Sequence, residues 1–177
     1  MLDMIGITEL MKEVVDAVSE KYGEDINYIF GNDNYIKDQL DTYTRSEDVE
    51  KFPLVALFCP INETRGEIGI FSSAKINLVI ACGTEKELSN EEREEESFKK
   101  ILRPIYERLL EALKEDRRFD FGYKQIIKHE YSENYSYGRY GAFTSNNEEI
   151  SESIDAIDIR NLEIKIRTLN TCRNDKN

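Results

Sequence analysis

The chain has 177 residues, 40% of them apolar and 34% charged, and a formal net charge of −12. That length predicts one domain with a core large enough to stand without staples, and the composition is that of a folded, soluble protein rather than a disordered one. The acidic balance excludes non-specific nucleic-acid binding, which takes clustered Lys and Arg to displace counterions, and argues against docking on an anionic membrane.

In "ITELMKEVVDAVSEKYG" the apolar residues Ile7, Leu10, Met11, Val14, Val15, Val18 and Tyr22 draw one stripe on a helix of period 3.6. Thr8 is the expected cap at its start, and Gly23 the left-handed residue that ends it. Asp3, Glu9, Lys12 and Glu13 interrupt the N-terminal apolar run, so it does not read as a signal peptide. No stretch approaches the roughly 18 apolar residues of a membrane span. The expected place of the protein is the cytoplasm, or a particle assembled there.

"INYIF" (26–30) reads as a short strand. The polar "GNDNYIKDQLDTYTRSEDVEK" shows no sustained period and reads as a long arm over 31–51. "FPLVALF" (52–58) is a continuously apolar strand opened by a proline. "KINLVIACG" (75–83) sets Ile76, Leu78 and Ile80 on one face against Lys75, Asn77 and Val79 on the other. The two strands predict an antiparallel hairpin, with 59–74 as an extended tip from which Arg65 and Glu67 reach away from the sheet.

"SNEEREEESFKKILRPIYERLLEALKED" predicts a long second helix. Ser89 with Glu92 makes a capping box, and the acidic first turns suit the positive end of the helix dipole. Glu95–Lys99 and Glu96–Lys100 are i, i+4 pairs. Phe98, Leu102, Ile105, Leu109 and Ala112, widened by Ile101 and Leu113, form the buried stripe, and Pro104 should bend it.

The last third predicts strands over 123–131 and 154–169. In the second, the apolar phase runs Ile157, Ile159, then Leu162, Ile164, Ile166, slipping by one residue at Arg160–Asn161. A β-bulge there restores a single buried face. The expected fold class is therefore α+β: a mostly antiparallel sheet with two helices packed on one face and extended hairpin or loop arms. It forms one domain over 1–177, with a body of about 5–30, 52–58, 75–131 and 154–169, arms at 31–51, 59–74 and 132–153, and a frayed tail at 170–177. Phe52, Leu54, Ile76, Leu78, Leu102, Ile105, Leu109, Ile157 and Leu162 are the expected core.

Little in the sequence points to catalysis. Cys59, Cys82 and Cys172 are widely spaced and odd in number, which predicts reduced thiols. His129 is the single histidine, and no GxSxG elbow, HExxH pair, EF-hand loop or phosphate-cradling glycine loop occurs. Asp155 or Asp158 with Glu163 and Lys165 resembles the Asp…Glu-x-Lys set of magnesium-dependent nucleases. That set wants two neighbouring strands, and here it shares one, where alternation alone produces it. The expectation is a protein with no catalytic residues, cofactor or metal.

"EYSENYSYGRYGAF" (130–143) is different in kind, with four tyrosines, a phenylalanine and an arginine among two glycines. Tyr and Arg are favoured at the centres of protein contacts. Tyr131, Tyr135, Tyr137, Arg139, Tyr140 and Phe143, with Arg65 on the other hairpin, are the candidate interface residues. A double Tyr137→Ala, Arg139→Ala change is expected to spare folding and weaken assembly.

The succession "ITELMKEVVDAVSEKYG", "FPLVALFCPI", "INLVIACGTE", "FKKILRPIYERLLEAL" and "IDAIDIRNLEIKI", covering most of 5–168, resembles the tail-terminator and neck-ring proteins of long-tailed bacteriophages and of prophages in Bacteroides-type bacteria. The 31–51 and 132–153 segments are longer than in a minimal member. The resemblance implies a structural virion protein of the phage neck or tail, ringed as a hexamer or dodecamer around the DNA channel. Its partners would be its own copies and adjoining portal, adaptor or tail-tube proteins, with DNA passing unbound along an acidic wall and no membrane. Two other readings stay open: an acidic immunity-type module that masks a basic toxin, and a small nuclease using Asp158, Glu163 and Lys165.

Overall fold

The computed structural model describes residues 6–45, 51–85, 87–135 and 153–167. In chain order these form helix α1 (Ile7–Tyr22), strand β1 (Asn27–Gly31), helix α2 (Asp33–Arg45), strands β2 (Leu54–Phe58), β3 (Glu63–Thr64) and β4 (Ile70–Thr84), then a helical rod, then strands β5 (Glu130–Asn134) and β6 (Ser153–Arg167). The sheet runs β1-β2-β4-β6-β5, with β3 paired to β4; β1 and β2 are parallel and every other pairing is antiparallel. The α+β class holds. Among the described residues no helix is long and apolar enough to cross a membrane.

One face of the sheet carries the main core. The α1 stripe from Ile7 to Val18 packs with Val55, Leu57, Ile76, Leu78, Ile80, Ile157, Ile159, Leu162 and the rod residues Phe98, Leu102, Ile105 and Leu109. All the expected core residues are buried except Phe52, which is half-buried against the opposite face. α1 ends on Gly23 at φ 83°, a left-handed cap. Its start is not Thr8: Gly6 stands at the N-cap position and no side chain caps the helix.

Residues 33–45 are a helix, not an arm. Asn32 caps it through Tyr35 N–H to Oδ1 at 2.9 Å. Among its residues with described side chains only Ile36 is buried, against Ile29, Leu54 and Ala56 on the second face of the sheet. One anchoring residue draws no stripe, so the period is silent.

The hairpin tip also departs from expectation. β3 pairs with Ser73 and Ala74 of β4, so 63–64 and 70–74 belong to the sheet, joined by a turn. Arg65 folds back, bonding Glu63 and lying 5.1 Å over the Phe71 ring. The strand expected over 123–131 starts only at Glu130; before it, Gly122 and Gln125 at φ 68° and 50° turn the chain.

The rod starts with the expected capping box at Ser89 and Glu92, and has three windings: α3 (Asn90–Arg93), a π-helical stretch (Glu94–Leu102) and α4 (Arg103–Glu115). Pro104 explains the middle one. In α-helical register it would give the Lys100 carbonyl no donor and press its ring against it. The wider winding lets Arg103 N–H reach the Phe98 carbonyl, five residues back, and the Tyr22 hydroxyl donates to the Lys100 carbonyl at 3.3 Å. The proline is met by a change of winding.

The β6 bulge falls where the phase slips. Ile76 faces Leu162 and Leu78 faces Ile159, which leaves an extra residue at Arg160–Asn161. Asn161 takes φ 52°, and its N–H donates to Asn77 Oδ1 at 2.9 Å.

Candidate functional site

The root of the aromatic segment is fastened to the rod by one arginine. Arg103 bonds Glu133 of β5 through Nε and Nη2 at 2.7 and 2.9 Å, and Glu94 through Nη1 and Nη2 at 2.6 and 3.0 Å. Tyr135 donates its hydroxyl to Glu94 at 2.7 Å, and its ring lies 4.3 Å from that of Phe98. Tyr131 donates to Glu133, and its ring lies 4.9 Å from Tyr106. Bidentate guanidinium–carboxylate pairs fix both distance and orientation, so this clasp sets where the chain leaves β5.

The electrostatics follow from those contacts. Hydrogen bonds from Arg103 hold Glu94 and Glu133 below the usual carboxylate range. Burial, with the hydrogen bond to Glu94, pushes the Tyr135 phenol up to about 12, and burial raises Tyr131 as well. The tyrosines therefore act as neutral donors to carboxylates, with no bias toward nucleophilic or general-base chemistry.

Of the expected interface residues, Tyr131 and Tyr135 thus lie on their own rod, and Arg65 on its own hairpin. Tyr131 is still 42% exposed. Tyr137, Arg139, Tyr140 and Phe143 lie outside the described residues. His129 closes the same patch: the Ile127 carbonyl can only accept, so Nδ1 donates to it at 2.9 Å, and Nε2 lies 2.7 Å from the Tyr106 hydroxyl.

The Asp…Glu-x-Lys set does not assemble. Asp158 is buried, accepts from Asn134 at 2.7 Å, and is raised by that burial. Glu163 lies beyond the bulge, about 16 Å further along the strand by its rise per residue, and pairs with Lys75 at 3.4 Å. Lys165 faces Glu67 at 3.7 Å. Asp155 points to the other face, where the Ser97 hydroxyl reaches it at 2.8 Å and Arg93 at 3.5 Å, all three side chains buried. Among the described residues no cluster of His, Cys, Asp or Glu is placed to hold a metal.

Two surface features escaped the sequence reading. A groove of about 710 Å³ runs along the outer side of β1, walled by Thr8, Glu9 and Lys12 of α1 and by Tyr35 and Gln39 of α2, with Phe30 49% exposed on it. A second cleft, of about 580 Å³, opens between the 67–70 turn, the 120–128 loop and the end of β6, where Ile68 and Ile126 stand exposed. The first depends on α2, which has no legible stripe; the second depends on two turns meeting in space. No protein-family profile, curated protein or solved structure matches this chain.

Proposed function

We propose that the protein is a structural ring subunit of a bacteriophage neck or tail, a tail terminator or head–tail connector, that surrounds the DNA channel by contacts between unlike surfaces of successive copies. The observation that carries this is the pair of exposed apolar surfaces on different parts of one small acidic body. Phe30 and Tyr35 flank β1, while Ile68, Tyr123 and Ile126 stand at the end where two turns meet. Apolar side chains left in water in such groups mark contact sites. Contacts between unlike patches close into rings when the rotation between copies closes.

The clasp supports the same reading. It leaves Tyr131 half-exposed on β5 while fastening that strand to the rod, as a strand offered to a neighbour requires. The net charge of −12 suits a channel wall along which DNA slides without adhering.

Negative-stain microscopy of the purified protein, alone and with candidate portal or tube proteins, tests the proposal. Rings with a central opening of duplex width are the expected result. Particles that stay single with every such partner would end it.

A further inference from the structure

Among the described strands the path β1-β2-β4-β6-β5 ends on β1 and β5, and these two ends are complementary. Following the pairings across the sheet, β1, β2 and β6 run one way and β4 and β5 the other. Rotating a copy about an axis along the strands keeps those directions. The β5 side of one copy then meets the β1 side of the next in antiparallel orientation. Both strands have five residues.

The faces agree as well. Tyr28 donates to the Thr8 carbonyl of α1 at 2.8 Å, which puts Tyr28, and Phe30 two residues on, on the helix-bearing face. Tyr131 lies against Tyr106 of α4, on that same face. Full overlap of the two strands sets Asn27 opposite Asn134, Tyr28 opposite Glu133, Ile29 opposite Ser132, Phe30 opposite Tyr131 and Gly31 opposite Glu130. This register keeps the helix-bearing face continuous across the seam, whereas a slip of one residue would turn it over. It also brings together the two half-exposed aromatics, Phe30 at 49% and Tyr131 at 42%, and a facing aromatic pair is among the stabilising cross-strand contacts.

We infer that β5 of one copy docks antiparallel in the β1 groove of the next, Tyr131 facing Phe30, so that the sheet continues from subunit to subunit. The inference rests on the ring reading and adds its seam. The groove between α1 and α2 has the form that strand addition needs: it follows the side of β1 that no described strand pairs, with walls that admit one more strand.

The test is a cysteine pair, Phe30→Cys with Tyr131→Cys, in a chain whose Cys59 and Cys172 are replaced by Ser. Directly opposed residues in an antiparallel pair have Cα atoms about 4.5–5.5 Å apart, within disulfide reach. Oxidation of the assembled protein should give a covalent ladder reaching the ring size on a non-reducing gel. Phe30→Cys with Ser132→Cys, on opposite faces, should give little. Hydrogen exchange on the unaltered protein reads the same seam without substitution: amides of 27–31 and 130–134 should gain protection together on assembly. Assembly with neither cross-link nor protection overturns this seam and leaves the ring standing. A chain that never assembles overturns both.

Discussion

The two halves of β6, on either side of the Arg160–Asn161 bulge, differ in what covers them. From Ser153 to Ile159 every residue is buried, whichever face it points to; from Leu162 to Arg167 buried and exposed residues alternate. The first half lies between the rod and a second apolar layer in which Phe52 and Phe58 pack on Val79, Ala81, Ile154 and Ala156. The second half has helices on one side only. The closed half holds the buried ion pair of Arg93 and Asp155, while the open half leads to the exposed residues at the cleft. Burial on both faces and exposure on one are thus assigned to opposite ends of one strand.

The sharpest way to break this contrast is to remove one partner of the buried pair. Arg93→Ala removes the buried cation that faces the Asp155 carboxylate, and also frees the Leu88 and Glu85 carbonyls that Arg93 holds at 3.2 and 3.1 Å. It should cost about 3–5 kcal/mol in urea unfolding. Lys165→Ala at the open end should cost no more than about 0.5 kcal/mol. Equal losses would dissolve the distinction.

The bulge itself comes next. Asn161 at φ 52° tolerates Gly, but Asn161→Val should cost about 1–2 kcal/mol for the left-handed backbone alone. A valine variant as stable as the parent would mean that β6 can be re-registered freely.

Third is acid. The Arg103 hydrogen bonds depress Glu133 below its unfolded value, so its contribution is complete above about pH 4.3 and is lost as pH falls through the lower folded value. Unfolding free energies measured in urea from pH 7 to pH 2.5 should show the parent ahead of Glu133→Gln by under about 1 kcal/mol, the two converging in acid. A constant offset would show that the carboxylate's charge is not what holds the clasp.

The smallest effect has the opposite sign. Burial raises Asp158, so its charged form weighs against folding above the unfolded pKa and the penalty vanishes below it. Asp158→Asn should gain a few tenths of a kcal/mol at pH 7, an ordinary size for one substitution, and nothing near pH 3. A loss at pH 7 would mean that Arg160, 3.6 Å away, and the Asn134 hydrogen bond outweigh the burial.

How much of this was legible depends on how local each signal is. The bulge was readable because a period of two records an inserted residue as a phase slip. The Ser89–Glu92 box was readable because both partners lie within one turn. α2 was not, since Ile36 alone anchors it among its described side chains. The strand expected over 123–131 was misplaced because Ile126 and Ile127, one exposed and one buried, mimic alternation in a turn.

The Arg103 clasp lay beyond any fixed spacing rule. Nine residues separate Glu94 from Arg103, about two and a half α-helical turns, which would put them on opposite sides of the rod. The π winding makes nine residues about two turns and brings them together. No spacing rule reads that, because the winding depends on Pro104 and on Tyr22 from another helix.

Sedimentation velocity over a wide concentration range, comparing the parent chain with Phe30→Asp, tests the central claim most directly. The account predicts a closed species of six or twelve copies for the parent, and single chains with an unchanged circular dichroism spectrum for the variant. A parent chain that stays single both alone and with portal or tube partners, or a variant that assembles as well as the parent, would contradict it.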